Sequence, residues 1–128
     1  MSREFRASFN KLVAIPPDLG RLKRLRKLVL NGNRISIIPD EIGRLESLEE
    51  LVLSENNIEE IPISIAQMGS LRVLKLQNNR LTRLPSEIAE LLTLEVLDCS
   101  NNKKLDMIPS MWLGDTEGIL FILRIHRG

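Results

Sequence analysis

Cys99 and His126 are the only cysteine and the only histidine in the 128 residues. A thiol and an imidazole can form a nucleophilic pair, and the same residue types ligate zinc. One of each falls short of a structural zinc set, and His126 stands close to the last position. Cys99 also keeps a regular spacing, since Leu30, Leu53, Leu76 and Cys99 stand at equal intervals along the chain. A thiol in a slot otherwise held by leucine reads as an inert core residue. The seven glycines are scattered and form no loop that could cradle a phosphate. No catalytic, cofactor-binding or metal-ligating residue is assigned, and the chain reads as a non-enzyme.

A second set of side chains has chemistry of a structural kind. Asn10, Asn33, Asn56, Asn79 and Asn102 recur at that same interval. An asparagine amide offers both donors and an acceptor. A buried turn leaves backbone N–H and C=O groups unpaired, at a cost of about 1–3 kcal/mol each. Stacked side chains at this spacing are expected to bond the backbone of adjacent turns as a ladder.

The elements that must hold these residues follow from the period, which is the signature of a solenoid. Leu25–Ser47, Leu48–Ser70 and Leu71–Thr93 align without a gap. A fourth copy, residues 94–113, carries one extra residue before Leu105, Ile108 and Pro109, and a degenerate copy occupies 2–24. In each unit L-x-x-L-x-L alternates buried and outward positions, which predicts a strand. The second half spaces its apolar residues by three to four, with Pro39, Pro62, Pro85 and Pro109 near the start. That predicts short helical turns. One side of the coil is then a parallel sheet and the other short turns, and the unequal widths curve the stack with the sheet inside. In the degenerate copy Ser2 stands where the others have leucine. Either Phe5 and Phe9 cover the first core face or the chain is part of a longer array.

The segment L-x-x-L-x-L-x-x-N-x-I/L at Leu25–Ile35, Leu48–Ile58 and Leu71–Leu81 closely resembles the hallmark of the leucine-rich repeat family. The I/L-P-x-x-I continuation resembles the intracellular 23-residue subgroup that includes the Ras suppressor protein and related scaffolds. The resemblance implies an α/β fold: a right-handed curved solenoid forming one domain over residues 1–128, with sheet on the concave side and helical or 3₁₀ turns on the convex side. It also implies a non-enzymatic protein-binding role, with a small GTPase or its regulator as the partner. Recognition segments of multidomain enzymes and structural subunits of large assemblies share such arrays, and both readings stay open. Residues 114–128 break the period. Alternation there suits a further strand, while G-x-T-x-x-I-L-x-x-L-R resembles a C-terminal capping helix over 115–126, which is the expectation adopted.

Charge and composition narrow the partner. The net charge is +1, with nine basic residues against two acids over 1–34 and eight acids against Arg44 over 35–70. Such a dipolar surface can steer an approaching protein. The run Arg21–Lys27 is basic, but Leu22 and Leu25 hold core slots and no aromatic platform for bases lies near, so no nucleic-acid partner is assigned. The longest apolar run, Ile119–Leu123, is too short for a membrane span. A single cysteine without a disulfide framework, and an N-terminus lacking an apolar segment, point to a cytoplasmic location.

The outward strand positions are the candidate contact residues. They are Lys27, Val29 and Asn31; Glu50, Val52 and Ser54; Val73, Lys75 and Gln77; and Val96, Asp98 and Ser100. Four valines on one concave sheet, rimmed by charges, are expected to form a protein-binding stripe.

Overall fold

The computed structural model describes residues 3–127, so Ser2, the first slot of the degenerate copy, lies outside the described residues. Five three-residue strands form one parallel sheet in sequence order: β1 (Glu4–Arg6), β2 (Lys27–Val29), β3 (Glu50–Val52), β4 (Val73–Lys75) and β5 (Val96–Asp98). Each strand residue pairs with its equivalent one repeat on, from Glu4–Lys27 to Lys75–Asp98. The period is therefore the sheet register. Opposite the sheet lie short 3₁₀ segments at Pro17–Arg21, Asp40–Arg44, Ile63–Gln67, Ser86–Glu90 and Ser110–Trp112. Pro39, Pro62 and Pro85 each stand in extended backbone immediately before one of these segments, where the missing N–H costs nothing.

The result is a right-handed curved solenoid whose core is a column of equivalent slots. In the turn from 48 to 70, Leu48, Leu51, Leu53, Ile58, Ile61, Ile65 and Met68 are all buried. Each such side chain contributes roughly 1.5–3 kcal/mol of burial. Gly43 lets neighbouring convex segments touch, since a Cβ there would sit 2.5 Å from the Ser64 carbonyl oxygen.

The two ends of the column differ. At the C-terminal end, helix α1 (Thr116–Arg127) buries Ile119, Leu120 and Leu123 against the last turn. The Thr116 hydroxyl accepts the Leu97 N–H at 2.8 Å, and the Leu113 carbonyl accepts the Cys99 N–H at 2.7 Å. Helix rather than strand is thus the outcome for this segment, and it occupies the edge that a sixth strand would have used.

At the N-terminal end, of the two alternatives, closure of the first core face by Phe5 and Phe9 is not what the described residues show. Phe5, Leu12 and Leu22 are 48%, 39% and 38% exposed, whereas their equivalents one turn on, Leu28, Ile35 and Leu45, are fully buried. Phe9 leans sideways onto Gly32, where any Cβ would strike its ring, and leaves the end face uncovered among the described residues. Leu22 therefore holds a core slot only in part.

Candidate protein-binding face

The side chains that position the concave face begin with the asparagines. Asn56 donates from Nδ2 to the carbonyls of Leu53 and Leu30 at 3.0 and 3.1 Å, and its Oδ1 accepts the Ile35 N–H at 3.0 Å. Asn33, Asn79 and Asn102 repeat the arrangement, each bonding the end of its own strand and the backbone of the preceding turn. All four are buried. Asn10 is a correction to the five-membered ladder. It is exposed, and its amide donates only to the nearby Ser8 carbonyl, because the described residues include no earlier turn for the amide to bond.

The residue before each ladder position takes the left-handed conformation: Phe9, Gly32, Glu55, Asn78 and Asn101 have φ between 53° and 74°. This turns the chain off the strand and aims the next side chain inward.

On the concave face the register places Val29 beside Val52 and Val73 beside Val96, while Val52 stands diagonal to Val73. The apolar stripe is therefore continuous but steps across the sheet. Val29 is buried, set in register between Arg6 and Val52, and drops out of the contact surface. Ser54, short and placed between Asn31 and Gln77 of the flanking turns, is buried as well. The accessible apolar strip is Val52, Val73 and Val96, the last of these exposed.

Charged and polar groups border that strip. Lys27 pairs with Glu50 at 3.0 Å across β2 and β3. Lys75 lies between Val52 and Asp98. Asp98 accepts from the Ser100 hydroxyl at 2.7 Å and the Ser100 N–H at 2.9 Å, which fixes its carboxylate. Asn31 accepts from the Ser8 hydroxyl at 2.6 Å. Gln77 Oε1 is buried without a hydrogen-bond donor among the described residues.

A second charged row along the strand starts escaped the sequence reading. Arg26, Glu49, Arg72 and Glu95 recur at the repeat period with alternating sign, except that Arg26 follows Arg3. Arg26–Glu49, Glu49–Arg72 and Arg72–Glu95 pair at 3.6, 3.7 and 2.9 Å. The hydrogen bond from Arg72 to Glu95, then the Glu95 charge, hold the Arg72 guanidinium above its usual range. The signal was present as a period in the position just before each strand. It also explains much of the basic run, in which Arg26 and Lys27 are committed to acids of the next turn and Lys23 bonds the Arg44 carbonyl at 3.0 Å.

Cys99 lies fully buried in its leucine slot, and burial, with a lesser push from Asp98, raises its thiol to about 12. His126 is exposed on α1. Among the described residues no three His, Cys, Asp or Glu side chains cluster as metal ligands, and no helix is long and apolar enough to cross a membrane.

Comparison with known proteins agrees with this geometry. A leucine-rich repeat region model matches residues 16–108. An LRR protein of Leptospira interrogans is similar at 42% identity and a TM-score of 0.70, over 71% of this chain and 23% of that one. The plant peptide hormone receptor RGFR1 in complex with RGF2 shares 37% identity with a TM-score of 0.72, over 77% and 16%. The BIR3–SERK2 complex from Arabidopsis thaliana shares 32% identity with a TM-score of 0.66, over 73% and 53%. The chain thus spans between 16% and 53% of the length of these structures. No curated protein matches it significantly. Five register-locked turns, the buried asparagine ladder and the match over residues 16–108 lead to one conclusion: the chain belongs to the leucine-rich repeat family.

Proposed function

We propose that the chain is a non-enzymatic protein-binding module that holds its partner on the concave face. The observation that carries this is the accessible strip Val52–Val73–Val96, bordered by the fixed carboxylate of Asp98, by Lys75 and by the Lys27–Glu50 pair. The ladder and core immobilise the backbone beneath these side chains, so that little entropy is lost on binding. Two of the similar structures are complexes by description, a hormone receptor with RGF2 and BIR3 with SERK2. By resemblance to the intracellular 23-residue subgroup, the partner is a small GTPase or its regulator, and the module works as a signalling scaffold in the cytoplasm. Asn31, Ser100 and Gln77 supply the polar edge of the contact.

A second reading is favoured by one observation: the chain spans at most 55% of the similar structures. In that reading the same face is the recognition part of a longer multidomain protein.

The test is affinity capture with mass spectrometry using the parent chain, then binding by the variant Val52→Arg/Val73→Glu. Both positions are half-buried on the sheet surface, so circular dichroism and melting stay near the parent's while binding falls at least about tenfold, as expected for charges buried at an interface. Retained binding by the folded variant would move the site off the concave face.

A further inference from the structure

The convex side carries two isoleucines that the repeat does not require. Ile37 and Ile63 are 65% and 63% exposed. At the slot of Ile37 other turns hold Ala14, Glu60 and Arg83, and at the slot of Ile63 they hold Pro17, Asp40 and Ser86. The fold therefore accepts small or polar residues at both positions, and neither isoleucine is needed to fill the core. The two slots also exchange chemistry between turns. Ile37 precedes Asp40 in one turn, and Glu60 precedes Ile63 in the next. Apolar and acidic groups thus alternate both along a turn and from turn to turn.

These residues line a groove among the convex segments. One part, of about 510 Å³, runs past Ile37, Asp40 and Glu59, and a second, of about 410 Å³, past Ile63 and Glu87. The two share Glu60, Ile61 and Pro62, so the groove is continuous. Beside them a third hollow joins Asp40 and Glu41 to Ile63 and Glu87. Asp40, Glu41, Glu59 and Glu87 have no ion pair among the described residues. The cations on the walls are Arg83, held by Glu60 at 2.9 Å, and Arg44. The walls belong to residues 37–87, with a described turn stacked beyond them on each side.

We propose that this groove binds a basic segment of a partner protein in which Arg or Lys side chains alternate with apolar ones. Charge complementarity sets the sign, because carboxylates without an internal partner attract a cationic segment and repel an acidic one. Arginine can meet such a carboxylate through two parallel hydrogen bonds. The isoleucines supply what a purely charged contact lacks. Covering one exposed isoleucine removes apolar surface from water, and full cover strengthens binding about tenfold or more. The charged part of the contact is screened over about 10 Å at 0.1 M salt, so binding weakens with added salt without vanishing. The groove lies away from the sheet, so its occupant leaves the concave face open. The proposal goes beyond the protein-binding reading of that face and does not rest on it.

Fluorescence anisotropy of the labelled peptide Arg-Leu-Arg-Leu-Arg-Leu-Arg, titrated with the 128-residue chain, tests the proposal. It is expected to bind at least about tenfold tighter than Arg-Ser-Arg-Ser-Arg-Ser-Arg, and to weaken between about 50 and about 300 mM salt. Two variants borrow residues that other turns already use at the same slots, so circular dichroism stays that of the parent. Ile37→Ala/Ile63→Ser, after Ala14 and Ser86, removes most of the difference between the peptides. Asp40→Ser/Glu59→Thr, after Ser86 and Thr82, weakens both about tenfold and flattens the salt response. In nuclear magnetic resonance the peptide shifts the amides of Ile37, Asp40, Glu59 and Ile63. Shifts confined to Val52, Val73 and Val96 would place the peptide on the concave face and overturn the groove. No binding at about 1 mM peptide overturns the proposal, and so does equal binding of the two peptides, which would reduce the contact to unspecific charge. Self-association of the chain that Ile37→Ala/Ile63→Ser abolishes would give the groove to a second copy and overturn the basic partner.

Discussion

Asn56 and Asn57 are adjacent and chemically identical, yet the fold uses them in opposite ways. The Asn56 side chain is buried and bonds the backbone of two turns, whereas Asn57 contributes its backbone N–H to the Ile35 carbonyl at 2.8 Å and its half-buried side chain takes no part in the ladder. Asn56→Ala therefore strands the buried Ile35 N–H, while the Leu30 and Leu53 carbonyls keep their bonds from Asn33 and Asn79, and should destabilise by roughly 1–3 kcal/mol. Asn57→Ala should change stability by less than about 0.5 kcal/mol, as usual for a surface substitution. Asn10→Ala should resemble Asn57→Ala, since the Asn10 amide is exposed and bonds only Ser8. Urea denaturation of the three variants checks this, and equal losses at Asn56 and Asn57 would sink the ladder. The period alone named five asparagines because it reports residue type at a slot. Whether a slot is buried depends on the turn stacked before it, which the Asn10 slot lacks among the described residues. Val29 and Ser54 show the same limit, for alternation states which face a side chain takes and not how far its neighbours overhang it.

Each unit joins strand to convex segment through one left-handed residue, and the five occupants suit that backbone unequally. Gly32, Asn78 and Asn101 are residue types that tolerate it, while Phe9, at φ 53°, and Glu55, at φ 56°, are not. Glu55 is exposed, and its backbone N–H donates to the Gln77 carbonyl at 3.0 Å, a bond any residue type keeps. Replacing Glu55 by Asn should relieve strain and stabilise by about 1 kcal/mol, the low end of the cost of a left-handed non-glycine residue. Thermal or urea unfolding against the parent measures it, and a loss of stability would mean that the glutamate side chain has a role its geometry does not show. The strands, the convex 3₁₀ segments and the buried asparagines were legible in the sequence because each slot meets the same environment once per repeat. The capping helix was legible only by resemblance, since Ile119, Leu123 and their neighbours fit a strand pattern and a helix pattern alike. Contact with the bare last sheet edge decides between them: Thr116 and Leu113 supply the partners that Leu97 and Cys99 need. The charged row through Arg26, Glu49, Arg72 and Glu95 was equally periodic, but it lies just outside the strands.

A solenoid is bound together by nearest-neighbour interfaces, so its stability is graded from end to end by what covers each end. Here α1 covers one end with Ile119, Leu120 and Leu123, and the other end leaves Phe5, Leu12 and Leu22 half-exposed. Opening should therefore begin at the first turn. In hydrogen exchange of the dilute chain, the amides of Ala7 and Phe9, bonded to Val29 and Asn31, should exchange soonest, and those of Leu53 and Ile58 latest. Leu123→Ala, at a fully buried position, should cost about 2–5 kcal/mol and invert part of the gradient. Leu97 and Cys99, whose N–H groups are held by Thr116 and Leu113, should lose protection first, while Leu30, bonded to Val52, keeps it under conditions where the variant stays folded. Equal loss at all of these amides would mean that the five turns open as one unit, contrary to the nearest-neighbour account.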